Sequence, residues 1–262
     1  MSTLRVIPVE RSYEKQFSDF LDKDRILHVF TVYDFRYMRD KTEIWVAMEE
    51  EKIVGYLLEF DKRIVHAHGS AESVAKLLDC IDLDELVFVI ESHHLRVVKE
   101  SFEPLGSTDS STKGEITTYL IMKVDAETFK PMINHRVKRL RTEDLAEVFE
   151  SMGDEWKTRI EDVIHKGIAF GAYDNGSLVA VATVSEILED LSLIRGVYTV
   201  PLYRRKGFAT SACSALIREL IDLGKEAMLW AAKDNLPARN VYEKIGFKRT
   251  EHSLPGFKAK RL

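Results

Sequence analysis

Residues 196–223 read GVYTVPLYRRKGFATSACSALIRELIDL, and the rest of the chain is organised around the change of pattern inside them. An apolar segment, Val197–Val200, runs into a Pro-led basic turn, Pro201–Lys206, then Gly207, then apolar residues at helical spacing. The pattern predicts a strand, a turn and a helix start. The spacing Arg204-x-x-Gly207-x-Ala209 lets successive backbone N–H groups face outward at the helix start, which makes the turn an anion site. Arg204, Arg205 and Lys206 add positive charge where the helix dipole already favours an anion. A pyrophosphate suits such a turn.

A second patterned stretch follows: Asn235-x-x-Ala238-x-x-Val241-Tyr242-Glu243-Lys244-Ile245-Gly246-Phe247. Pro237 lies in the first turn of a predicted helix, where its missing N–H costs nothing, and Gly246 is the stop. The two stretches together resemble the GNAT-type N-acetyltransferases. That superfamily places Arg/Gln-x-x-Gly-x-Gly/Ala directly after a strand, and Asn-x-x-Ala-x-x-Leu-Tyr-Glu-Lys-x-Gly-Phe after it. The surrounding residues are most similar to the glycine N-acyltransferase-like branch.

The resemblance implies acetyl-coenzyme A as co-substrate, with its pyrophosphate on Arg204, Arg205, Lys206, Gly207, Phe208, Ala209 and Thr210, mainly through backbone N–H groups. It implies that the pantetheine amides add like a short strand along Tyr198, Thr199 and Val200, in a slot opened by splaying of the next strand. Asn235 either hydrogen-bonds the pantetheine arm or caps the following helix, and the two roles are compatible. Tyr242 is the candidate proton donor to the departing thiolate, against the plainer reading of a packed helix residue. The chain departs from relatives that carry a glutamate on the strand before the turn: the nearest positions here are Ile194 and Arg195. Glu186 and Glu189, on the preceding hairpin, are the candidate general bases. Ordered water or capture of the free amine is equally open.

Outward from these motifs, the fold class expected is α/β (α+β), with tandem GNAT-like domains, each a mixed, mostly antiparallel twisted sheet flanked by helices. Residues 1–130 form a degenerate first copy and residues 131–262 the catalytic, acyl-coenzyme A-binding copy. In pattern, AMEEEKIVGYLLEF matches GAYDNGSLVAVATV, but HGSAESVAKLL stands where the second half has YRRKGFATSACSALI. The first half therefore lacks the basic turn. Among the elements read from periodicity are a helix capped by Ser12, helices over 25–37 and 94–102, and a helix over 143–151 capped by Thr142 with Leu145, Val148 and Phe149 on one face.

Composition sets outer bounds. The 262 residues are 45% hydrophobic with net charge −5, enough apolar content for a core in each half. Residues 1–130 carry 17 Lys and Arg against 25 Asp and Glu, whereas residues 131–262 carry 21 against 18. An acidic first half argues against nucleic acid as the partner, and no window approaches the roughly 20 apolar residues of a membrane span. Cys80 and Cys213 read as buried thiols, and a cytoplasmic location is expected. His93-His94 and the His66/His68 pair lack a cysteine or carboxylate at ligand spacing, so no metal is expected. The expected function is N-acetyl (or short-acyl) transfer from coenzyme A to a primary amine of a small molecule or peptide, by direct attack in a ternary complex, in a monomer or homodimer. The alternative is a non-catalytic acyl-coenzyme A sensor.

Overall fold

The computed structural model describes residues 4–108 and 115–262. In chain order its principal elements are β1 Arg5–Pro8, α1 Glu14–Leu21, α2 Val29–Tyr37, β2 Thr42–Glu49, β3 Lys52–Phe60, β4 Ile64–His68, α3 Ala71–Leu78, β5 Glu85–Ile90, α4 Leu95–Lys99, β6 Phe102–Ser107 and β7 Thr117–Val124. They continue as β8 Arg136–Arg139, α5 Leu145–Met152, α6 Asp154–Lys166, β9 Ile168–Asp174, β10 Ser177–Ile187, β11 Leu191–Thr199, α7 Phe208–Asp222, β12 Glu226–Ala232, α8 Leu236–Lys244 and β13 Lys248–Arg261. No helix among the described residues is long and apolar enough to cross a membrane.

The chain divides into two compact units, and not linearly at residue 130. The first comprises residues through Leu120 with Ala232–Asn235 and Glu251–Leu262, and the second Ile121–Ala231 with Leu236–Thr250. The last strand begins in one unit and ends in the other. This exchange has no signature in local periodicity, because strand pairing across the whole chain length leaves no local pattern.

In the first unit the strands run β1-β2-β3-β4-β5-β13. Pairing is antiparallel except for β4 with β5, which is parallel from Ile64↔Val87 to Ala67↔Ile90. Leu57, Val65, Val74, Leu77, Phe88, Phe102 and Phe257 form its core. The helix expected over 94–102 stops at Lys99, and Phe102 instead opens β6, which pairs with β13. Pro104 lacks a ladder donor, so the sequence of β6 reads poorly as a strand. Ser12 lies in a 3-10 turn ahead of α1 and caps nothing, and α2 begins at Val29, not Arg25.

In the second unit the strands run β7-β12-β11-β10-β9-β8, antiparallel apart from β11 with β12. One face carries α7 and α8: Ala212, Cys213, Leu216, Ile217 and Leu220 of α7 pack with Tyr242 and Ile245 of α8 over Val179, Ala182 and Val184. Each fully buried Leu or Ile here stabilises by roughly 1.5–3 kcal/mol. The other face carries α5 and α6 through Val148, Ile160 and Val163 over Ala169 and Val181. Two of the expected local features give way to tertiary context. The carboxylate of Asp144, not Thr142, caps the turn before α5, accepting from the Arg141 N–H at 2.8 Å. Phe149 is 46% exposed under Lys157 rather than in the core. Cys213 is buried and burial pushes its thiol up to about 12, whereas Cys80 is only half-buried.

Candidate functional site

Strand β11 is the backbone of the site. It pairs with β12 only over Leu191–Leu193 against Glu226–Met228, although both strands continue beyond. From Ile194 to Thr199 the edge facing β12 is released from that ladder, and its other edge stays on β10 as far as Thr199↔Ala180. Backbone N–H and C=O groups are obligatory hydrogen-bonding groups, so this released edge presents a row of them to whatever enters the splay.

A bulge deepens the opening. Val181 faces Tyr198 but Thr183 faces Arg195, so Gly196 and Val197 stand opposite Ala182 alone. Gly196 has φ +71, and a Cβ there would lie 2.6 Å from Thr183 Oγ1 and 2.8 Å from Arg159 Nε. Only glycine fits this point on both counts. Thr183 Oγ1 donates to the Arg195 carbonyl and pins the bulge.

Around the bulge stands a set of side chains that the motifs do not mark. Trp156 of α6 stacks on Tyr198 with ring centroids 4.8 Å apart. Arg159 lies over the Trp156 ring at 5.2 Å, and Arg204 over the Tyr198 ring at 6.0 Å. Arg195 is paired with Glu186 at 2.7 Å, and Ser185 Oγ donates to the same carboxylate at 2.6 Å. Burial, then the neighbouring Arg195 charge, lowers the Arg159 pKa. The signal for Trp156 and Arg159 was present as a helical pattern, but a Trp and an Arg three residues apart on a surface helix carry no chemistry until the bulge is placed beneath them.

The turn after β11 leads into the start of α7. Pro201–Tyr203 forms a 3-10 turn, Arg205 has φ +62 and Gly207 φ +91, and α7 starts at Phe208. The first-turn N–H groups on Phe208, Ala209 and Thr210 have no carbonyl one turn back, and α7 is long enough for its dipole to favour an anion there. Arg204 Nε donates to the Thr199 carbonyl at 3.1 Å, fixing the start of the turn to the end of β11. His135 Nε2 donates to the Lys206 carbonyl at 2.9 Å, and its ring packs on Phe208 at 3.9 Å. Lys206 Nζ sits 5.2 Å over the Tyr203 ring. The helix itself is anchored by its small polar residues: Ser214 and Ser211 accept from the N–H groups of Met132 and Asn134, each at 3.1 Å.

Tyr198, Thr199 and Val200 at the end of β11 thus lead directly into the run Arg204–Thr210, in which Phe208 and Thr210 are buried. Tyr242 lies on α8, 9% exposed, with its ring 5.7 Å from Phe247. Burial, then Cys213, raises its hydroxyl pKa, so at neutral pH it holds its proton. Glu186 stands beside the bulge. Glu189 does not: it lies in the loop ahead of β11, and its carbonyl accepts from Lys225. At about 3.3 Å per strand residue, Glu189 is some 20 Å from Gly196. Asn235 occupies the turn before α8, its N–H bonded to the Ala232 carbonyl at 3.0 Å, and belongs to the first compact unit.

The first unit closes the corresponding place. There β4 and β5 pair along nearly their whole length, the loop after β4 is Gly69-Ser70, and Ser70 spends its hydroxyl on the Ser73 N–H at 3.1 Å. Among the described residues no splay and no basic turn stands there.

Comparison with known proteins accords with this geometry. Residues 134–247 match the model of the acetyltransferase (GNAT) family. A crystal structure of a Drosophila protein aligns over 98% of this chain and 99% of its own with TM-score 0.68 at 14% identity. A GNAT-family acetyltransferase from Colwellia psychrerythraea aligns over 98% of this chain and 100% of its own, with TM-score 0.60 at 12% identity. A tandem GNAT protein from the clavulanic acid biosynthesis pathway aligns over 99% and 98%, with TM-score 0.59 at 13% identity. No curated protein matches the sequence. The chain has a GNAT-type fold in the two-domain arrangement of the tandem GNAT protein, and its residues 134–247 match the GNAT family model.

Proposed function

We propose that the protein is an acetyl-coenzyme A-dependent N-acyltransferase whose second unit moves an acetyl or short acyl group to a primary amine. The observation that carries this reading is the release of β11 from β12 beyond Leu193, ending in a turn of unpaired helix N–H groups. Pyrophosphate would sit on Arg204–Thr210. The pantetheine amides would pair with the free edge of β11, and the thioester would reach the Gly196 bulge, where backbone donors can polarise its carbonyl. The closed β4–β5 pair supports reading the first unit as a copy that no longer binds coenzyme A.

The amine must be neutral to attack. Arg159 and Arg195 place positive charge beside the bulge, and a neighbouring cation lowers the pKa of an ammonium. The field therefore does part of the work of a general base, and Glu186, held by Arg195 and Ser185, accepts the proton directly or through water. The nitrogen then attacks the thioester carbon, the C–S bond breaks, the thiolate takes a proton from the Tyr242 hydroxyl, and the tyrosinate is reprotonated by the second proton that the nitrogen gives up as the amide forms.

The test is thiol release from acetyl-coenzyme A against a panel of amines. Release that depends on one amine and yields the acylated amine supports the reading. Stoichiometric binding of acetyl-coenzyme A with no release for any amine would move the protein to the sensor class.

A further inference from the structure

A cluster of possible metal ligands stands in the first unit, at the carboxyl ends of β4 and β5, the position that corresponds to the splay in the second. Glu91, His93 and His94 follow β5 directly and each offers a ligand atom within 4.8 Å of the others. The expectation that no cysteine or carboxylate completes a ligand set with His93-His94 is corrected here: the end of β5 brings the carboxylate of Glu91, two residues earlier, into the cluster.

Three observations bear on what this cluster holds. His94 is fully buried, and its Nε2 donates to the Gly69 carbonyl at 2.8 Å. Its Nδ1 then presents a lone pair, and that atom is buried with no partner; a buried polar atom left unpaired costs about 1–3 kcal/mol. Glu91 Oε2 is engaged by His68 Nδ1 at 2.5 Å, which leaves Oε1 for another role. Each inner residue is therefore oriented by an outer one, Gly69 behind His94 and His68 behind Glu91, the arrangement that orients ligands at metal centres. His93 is exposed and its Nε2 lies 3.4 Å from the Gly69 carbonyl.

We propose that Glu91, His93 and His94 bind a divalent transition metal, Zn(II) by the character of the donors, in the loop that follows β5. Two nitrogens and one carboxylate oxygen suit Zn(II), at about 2.0–2.2 Å per bond. Ligand atoms on such an ion stand about 3.3 Å apart, so a cluster whose ligand atoms lie within 4.8 Å of one another has to tighten by at most about 1.5 Å. This site is independent of the acyltransferase reading, since none of its residues belongs to the second unit.

The experiment is calorimetric titration of the full chain with ZnCl2, together with visible absorption on adding CoCl2, which reports a low-symmetry nitrogen–oxygen site directly. One saturable equivalent is expected for the parent chain. Glu91→Gln and His93→Ala, both outside the buried core, should weaken it by at least 100-fold, and His68→Gln by about 10–100-fold as a positioning residue. Absence of saturable binding by the parent chain would overturn the proposal, as would binding left unchanged in both Glu91→Gln and His93→Ala.

Discussion

Gly207 meets two demands that no other residue meets together: a left-handed φ of +91 at the start of α7 and an open surface over the helix N–H groups. Gly207→Glu adds both backbone strain, about 1–2 kcal/mol, and a negative charge against the phosphates, so it should abolish stabilisation by coenzyme A in thermal unfolding. Tyr242→Phe keeps the packing on Phe247 and removes only the hydroxyl; turnover should fall about 10²-fold with coenzyme A stabilisation retained. Normal turnover would refute the donor role. Arg159→Gln removes a cation from the bulge, so the amine pKa rises and the acid limb of the rate profile should move to higher pH. An unmoved limb would show that Arg159 does not act on the amine. Residues of this kind differ in how they can be read in advance. Gly207 and Tyr242 announce themselves by motif, whereas Arg159 matters only because the bulge lies under it, and Glu91 only because the end of β5 brings it to His94.

Helix α7 is held at its base by hydroxyl groups, not only by apolar packing. Ser211 and Ser214 each accept a backbone N–H from the segment 132–134. Ser214→Ala leaves the Met132 N–H without an acceptor in a buried setting and should cost about 1–3 kcal/mol in urea unfolding, with a parallel loss of coenzyme A affinity as the segment loosens. A loss below about 0.5 kcal/mol would mean that water replaces the bond. At this scale the strand–turn–helix of 196–223 is legible because its determinants are neighbours in sequence. The strand β6 was hidden by Pro104 and by a partner, β13, at the far end of the chain. The cap of α5 was hidden because Asp144 outcompetes Thr142 through a bond visible only once the turn is folded.

Across the whole molecule, the two units share a plan and differ in what their parallel strand pairs do. The first unit also carries an acid sensitivity. His28 is buried against Tyr56 and His68, its Nδ1 bonded to the Tyr56 hydroxyl at 2.9 Å. Burial, then His68, lowers its pKa to about 4, with Asp24 and Glu91 opposing and His252 adding to the shift. The unfolded chain takes up this proton near pH 6.5 and the folded chain not until about 4, so stability is whole above 6.5 and is lost as the pH falls between them, by about 3 kcal/mol in all. Urea unfolding at pH 7 and 4.5 should show a smaller drop for His28→Gln than for the parent chain; equal drops would assign the acid loss elsewhere. The repetition of the plan was legible from paired sequence patterns, but the exchange of the C-terminal strand was not, since only long-range pairing determines it.

On the proposed reading, the open β11–β12 pair and the closed β4–β5 pair allow one equivalent of coenzyme A per chain. Calorimetric titration of the full chain with coenzyme A measures this directly. One equivalent per chain, lost in Gly207→Glu, is the predicted result; no binding, or two equivalents, would contradict the account.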